Sequence, residues 1–242
     1  MKAEDYFDSQ LGIDIWNNKY RQNNESFDEW LDRVSGGNES VRMLIEQKKF
    51  MFGGRILANR GINDRNVSLS NCYVIKPPED NLESIWECSS KFARTFSYGG
   101  GAGTSLSNLA PKGSIINNAA KYTSGAVSFA ELINKTTELI GQDGRRGATM
   151  LSLSSEHPDI FEFIDAKTNN NEITKCNLSV EASNKFMRNA MNNNPHELRF
   201  KRHTGELIVD IVSAKDMLKR MATNACEWSE PGIMFIDRMN DY

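Results

Sequence analysis

Apolar residues recur with two different periods along this chain, and the switching between them lays out its elements. Over VSLSNCYVI (67–75) the period is two. Val67, Leu69, Tyr73 and Ile75 share one face and Ser68, Ser70, Cys72 and Val74 the other, which predicts a strand with one small, polar side. Leu82, Ile85, Trp86, Phe92, Ala93 and Phe96 then recur at helical spacing behind an Asp80–Glu83 cap. A second amphipathic helix runs near 124–140, with Ala126, Phe129, Leu132, Ile133, Thr136 and Ile140 on one side. Pro158 starts a short helix carrying Ile160, Phe161 and Ile164. EITKCNLSV (172–180) reads as a strand with Thr174, Cys176, Leu178 and Val180 on one face. A helix at 184–192, a hairpin of ELRFK and ELIVDIV turning at Thr204-Gly205, a helix capped by Ser213 and Asp216, and a short strand in EPGIMFIDR complete the order. The first ~50 residues read as polar helices with Trp16, Trp30, Leu31, Val34, Met43, Leu44 and Ile45 turned inward, and MFGGRILANRG (51–61) as a turn-rich connector.

Strands alternating with helices predict an α/β domain. Five strand candidates are too few for a closed eight-stranded barrel, which leaves an open sheet or a part of something larger. At 242 residues, 39 % hydrophobic and 25 % charged, the composition is that of a globular protein. A net charge of −3 gives no drive toward nucleic acid or a membrane surface. No apolar run has the length of a spanning helix and no signal peptide is seen, so the expected location is the cytoplasm. Cys72, Cys88, Cys176 and Cys226 lie far apart, and His157, His196 and His203 have no ligand spacing, so no metal site or disulfide framework is predicted.

SYGGGAGTSLSNLAPKGS (97–114) holds five glycines. It fits neither standard phosphate motif: Lys112 precedes Gly113 instead of following it, and Gly99, Gly101 and Gly103 lack the last member of G-x-G-x-x-G. A surface turn and a nucleotide-contacting loop both remain open for it. GQDGRRG (141–147) is equally compatible with an exposed basic turn.

The succession SLSNCYV, capped helix, GGGAGTSLSNLAPKGS, SGAVSF, GRRGATM, HPDIFEFIDAK, NLSV and PGIMFIDR resembles the large catalytic chain of ribonucleotide reductase, over roughly residues 50 to 240. It is most similar to the adenosylcobalamin-dependent group. The resemblance implies a ten-stranded α/β barrel made of two five-stranded halves, of which this chain supplies the first, in residues 51–242, behind a helical region at 1–50. It implies that Cys72 is the first of two redox cysteines beneath the substrate ribose, closing a disulfide with its partner that external thiols then reduce. Without the resemblance, Cys72 reads first as a small buried cysteine in a strand. By the same likeness Ser70 and Asn71 touch substrate, and Gly100 and Gly101 let the nucleotide lie against bare main chain, their N–H groups donating to its oxygens.

Gln142, Arg145 and Arg146 would read an effector nucleotide, arginine being suited to stacking and to forked phosphate bonds. Asp80 would contact the effector's sugar or base, or simply cap its helix. Lys112 would stand in for a phosphate-gripping arginine that is Ala110 here. The helices at 80–97 and 124–140 would pack in a homodimer, with Trp86 and Phe92 as anchors or as ordinary core. NLSVE (177–181) looks like the family's radical loop with Ser179 in place of the cysteine, but the motif order puts it on an earlier strand. The radical cysteine, the second redox cysteine and most of the cobalamin site are then expected on a complementary C-terminal chain or segment, making this a split or truncated reductase. Its expected partners are that segment, a ribonucleotide, a dNTP or ATP effector and a thiol reductant. A non-catalytic effector-binding module and an iron-dependent reductase are the competing readings.

Overall fold

The computed structural model describes residues 1–116, 118–140, 147–168, 173–202 and 204–242. Helices α1 (Ala3–Tyr6), α2 (Gln10–Ile15, continuing into a π-helical turn over Trp16–Tyr20), α3 (Phe27–Ser35) and α4 (Glu39–Glu46) come first. The start of α3 is fixed by a reciprocal capping box between Ser26 and Glu29, and its end by Gly36 in the left-handed region. These helices close over an aromatic cluster of Tyr6, Trp16, Phe27 and Trp30. Met43 and Leu44, expected inward, are exposed, because α4 turns Ile45 and, in part, Val41 toward that core. The connector also differs from expectation: it contains α5 (Gly54–Asn59), whose first turn is held by Asn71 Oδ1 accepting the Arg55 N–H.

There follow β1 (Cys72–Val74), α6 (Leu82–Ser97), β2 (Gly101–Ser105), α7 (Ala126–Leu139), β3 (Thr149–Ser154), α8 (Ile160–Ile164), β4 (Cys176–Ala182), α9 (Asn184–Met191), β5 (Pro195–Lys201), β6 (Leu207–Ser213), α10 (Ala214–Trp228), β7 (Gly232–Phe235) and α11 (Ile236–Asn240). Strands β1, β2, β3, β4 and β7 form one parallel sheet in that order, and β5 and β6 a separate antiparallel hairpin. The right-handed crossovers that parallel strands require place helices over one face. On that face the level rows Ala102–Thr149–Cys176 and Thr104–Leu151–Leu178 are buried in a core shared with Phe92 and Phe96 of α6 and Ala130 and Ile133 of α7. The opposite face carries Cys72, Val74, Gly101, Gly103, Met150 and Asn177, and the side chains of Cys72, Val74, Met150 and Asn177 are exposed. Five parallel strands ending in two separate edges, β1 and β7, make a barrel that is only partly present.

Three expectations need correction near β1. The predicted nine-residue strand is three residues long, because Ser68 Oγ bonds both the N–H and the C=O of Ser70 and bends the chain before Cys72. Part of the glycine stretch, Gly101–Ser105, is neither of the loops considered for it but the largely buried strand β2. Its alternation was hidden because the outer positions Gly101 and Gly103 have no side chains, while Ala102, Thr104 and Leu106 point inward. The cap of α6 is Asn81, whose Oδ1 accepts the Ser84 N–H at 2.8 Å, not Asp80.

Candidate functional site

Cys72 is a free, exposed thiol at the first position of β1. It stands in register with Gly101, and paired residues of a parallel sheet share a face, so the sulfur lies beside main chain that carries no side chain. A Cβ at Gly101 would come within 3.1 Å of the Ala148 carbonyl oxygen and 3.2 Å of its Cβ, so the strand is glycine there for closeness. Ser70 and Asn71 precede the thiol and are exposed. The Asn71 Oδ1 is committed to the start of α5, and its carbonyl accepts the Gly101 N–H at 2.7 Å.

The structure therefore brings Ser70, Asn71, Cys72, Gly100 and Gly101 to one place, but not with every predicted role. Gly101 N–H is taken by Asn71 O, and Gly100 N–H donates to Thr95 O at 2.9 Å. Neither donor is offered to a substrate oxygen, because the parallel ladder and the end of α6 use them first. Gly100 is buried under the ring of Tyr73, whose Cε2 would lie 2.8 Å from a Cβ at that position.

A concavity of about 730 Å³ lies between the start of α6 and the segment after β2, and is lined by Asp80, Leu82, Ile85, Ile115, Phe129 and Arg202 among others. Asp80 reaches it from a fixed position, since its Oδ1 accepts the Ala110 N–H at 2.9 Å. Arg202 carried no signal in the sequence. Its buried guanidinium bonds Glu206 at 2.8 Å and the Ile115 carbonyl, tying the hairpin to the segment after β2. Lys112 is elsewhere: Nζ is 3.0 Å from Glu162 Oε1, and that carboxylate holds the ammonium pKa above its ordinary value. Gln142, Arg145 and Arg146 lie outside the described residues. Trp86 and Phe92 separate cleanly: Phe92 is core, while Trp86 is 59 % exposed one turn after the equally exposed Leu82.

Sequence reasoning also missed the pair that anchors the segment after β2. Asp159 accepts the backbone N–H groups of Lys112 and Ala126, and His157 Nδ1 accepts the Asp159 N–H while Nε2 donates to Leu109 O at 2.8 Å. Burial pushes the His157 pKa down, which fits a neutral imidazole with one donor and one acceptor nitrogen. The other cysteines differ from Cys72. Cys176 is sealed in the core, where burial raises its pKa to about 12, Cys88 is buried with its pKa also raised, and Cys226 is exposed on α10.

Comparison with known proteins gives this geometry a context. The family described as ribonucleotide reductase, barrel domain, matches residues 70–242. A vitamin B12-dependent ribonucleoside-diphosphate reductase of Thermoplasma acidophilum is 34 % identical over 174 residues, covering 71 % of this chain and 22 % of the relative. One of Mycobacterium tuberculosis is 32 % identical over 204 residues, covering 84 % of this chain and 29 % of the relative. The chain thus spans between a fifth and a third of the length of these curated relatives. In fold it superposes on the Actinobacillus ureae class Id ribonucleotide reductase alpha subunit with a TM-score of 0.77 at 16 % identity, covering 96 % of this chain and 41 % of that one. With most of its length inside that barrel match, the chain belongs to the ribonucleotide reductase barrel-domain family.

Proposed function

We propose that this chain forms the first part of the catalytic barrel of a ribonucleotide reductase and that Cys72 is one of its two reductant thiols. The observation that carries the reading is the exposed free thiol of Cys72 in register with a glycine, where a sugar can lie against side-chain-free strand. In the overall conversion a ribonucleotide and two thiols give a 2′-deoxyribonucleotide, water and a disulfide. Cys72 supplies a proton to the departing 2′ oxygen, which leaves as water. Its sulfur ends bonded to that of a second thiol, and the electron pair released reduces C2′. The 3′ hydrogen is removed by a cysteine radical that the family likeness puts outside this chain. An external dithiol reopens the S–S bond. The product serves deoxyribonucleotide supply for DNA replication.

Two curated relatives are named as vitamin B12-dependent, which makes adenosylcobalamin the radical source to consider. The residues described in this chain do not fit it. His157 and His196 are both buried and both ring nitrogens of His157 are engaged, so neither imidazole is offered to a cobalt, and among the described residues no group of three or more His, Cys, Asp and Glu is placed to hold a metal. The cofactor's seat is assigned to the complementary part of the reductase. Dependence of reconstituted activity on added adenosylcobalamin separates this from an iron-dependent enzyme.

The Asp80 cavity is read as the seat of the effector's sugar and base. Its described charges are three carboxylates, Asp80, Glu83 and Glu206, against the single guanidinium of Arg202, which suits a neutral ring better than a polyphosphate. The phosphates are assigned to Arg145 and Arg146. Exposed Leu82 and Trp86 supply an apolar face for a second copy. Because the cavity is built within this chain, a non-catalytic effector-binding module is the second reading. Cys72→Ser decides between them in an enzyme reconstituted with its complementary part. Loss of dithiol-sustained turnover with nucleotide binding intact supports the reductase; full turnover overturns it.

A further inference from the structure

Ser68 Oγ sits in a small network immediately before the candidate reductant thiol. It lies 2.9 Å from Ser70 N, 2.8 Å from Ser70 O and 2.6 Å from the Tyr73 hydroxyl. A serine hydroxyl has one proton and two lone pairs. Ser70 N–H fills one lone pair, and Ser70 C=O, which only accepts, takes the proton. Tyr73 must then donate to the second lone pair, a bond that phenylalanine could not make. The ring delivering this hydroxyl rests on Gly100, where a Cβ would lie 2.8 Å from Tyr73 Cε2, 2.9 Å from Thr95 Cγ2 and 3.0 Å from Tyr73 Cδ2. Position 100 is therefore bare for the Tyr73 ring and the Thr95 methyl and not for a sugar. Both ends of the segment are held as well. Ser68 N–H donates to Tyr98 O at 2.7 Å, Asn59 Nδ2 to Ser68 O at 2.8 Å, and Gly101 N–H to Asn71 O at 2.7 Å.

We propose that Tyr73 is a positioning residue for Cys72: seated on Gly100 and donating to Ser68, it fixes the backbone on both sides of the thiol and so fixes where the sulfur stands. The inference rests on the reading of Cys72 as a reductant thiol. Placement matters to that role because a disulfide closes only when the two Cα atoms lie within about 4.4–6.8 Å.

Tyr73→Phe removes one oxygen atom and keeps the ring. Amide hydrogen exchange at Ser70 and Gly101, which flank the thiol, is expected to speed up about fivefold, the factor that one hydrogen bond is worth, with β4 amides unchanged. On a Ser68→Ala background the same substitution is expected to add nothing. Unchanged exchange, or effects of the two substitutions that simply add, overturns the proposal. In the reconstituted enzyme, disulfide formation at Cys72 in a single turnover is expected to slow by a similar factor with KM unchanged, and an unaltered rate also overturns it. The exchange measurement needs no turnover, so it stands apart from the fate of the reductase reading, which Cys72→Ser tests.

Discussion

Asp159 holds two elements at once, and its removal has a calculable effect. Its Oδ2 accepts the Ala126 N–H at 3.0 Å, at the start of α7, and the Lys112 N–H at 3.1 Å, while Oδ1 is 3.0 Å from the same Lys112 nitrogen. The carboxylate is almost wholly buried and Ala126 is fully so, which keeps water from replacing the lost acceptor. A hydrogen bond to a charged acceptor contributes about 1.5–3 kcal/mol, so Asp159→Ala removes about 3–6 kcal/mol for the two donors. With an unfolding entropy of about 2.1 cal/mol/K per residue, a chain of this length loses about 2 °C of melting temperature per kcal/mol. The expected fall is about 6–12 °C. Asp159→Asn keeps an oxygen at the Oδ2 position, where both donors reach it, and is expected to lose less than half as much. Thermal unfolding followed by circular dichroism at neutral pH measures both. A fall below about 2 °C for the alanine variant, or an asparagine variant as damaged as alanine, would refute the assignment.

The buried histidines predict an acid limb. Burial lowers the pKa of both His157 and His196, so the folded chain keeps them neutral where the unfolded chain takes up protons. Stability is full above the unfolded value of about 6.5 and declines as pH falls from there toward the folded values, by up to about 1.4 kcal/mol per pH unit for each histidine. Melting scans between pH 7.5 and about 5 check this, and His157→Gln should flatten the slope. The structural role of Asp80 can be separated from its proposed effector role. Asp80→Ala strands the Ala110 N–H and should cost about 1.5–3 kcal/mol, whereas Asp80→Asn keeps an acceptor there. An asparagine variant of near-normal stability that binds a deoxynucleoside triphosphate more weakly in calorimetry assigns the carboxylate to the effector, and unchanged affinity removes that assignment.

Most helices and the hairpin were legible because their signals are local, whereas α5 was hidden in a glycine-bearing connector and α11 begins inside the segment read as the last strand. Ser213 caps α10 as its sequence predicts, and α7, α9, β5 and β6 fall where periodicity puts them. What failed depended on tertiary partners. The β2 strand was hidden because glycine contributes nothing to a hydrophobic period, although its neighbours Ala102 and Thr104 are buried. The 67–75 strand was overcalled because alternation cannot show that Ser68 will turn back on Ser70. Asp80 was read as a cap since Asp and Asn are equivalent at that position on paper, and only the reach to Ala110 distinguishes them. Cys72 was legible as a candidate through the family resemblance of the motif series around it, with which its small, polar strand face agreed; its register with Gly101 required the sheet. Arg202, His157 and Asp159 act across long separations in sequence, and no spacing rule points to them.

The most direct measurement is disulfide mapping after a single turnover. A reductase reconstituted from this chain and its complementary part is given ribonucleotide without external thiol, quenched with an alkylating agent, and digested for mass spectrometry. The account predicts that Cys72 is recovered in an S–S bond to a cysteine of the complementary part, in proportion to deoxynucleotide formed, while Cys226 is alkylated. Deoxynucleotide formed with Cys72 still fully alkylated would contradict it.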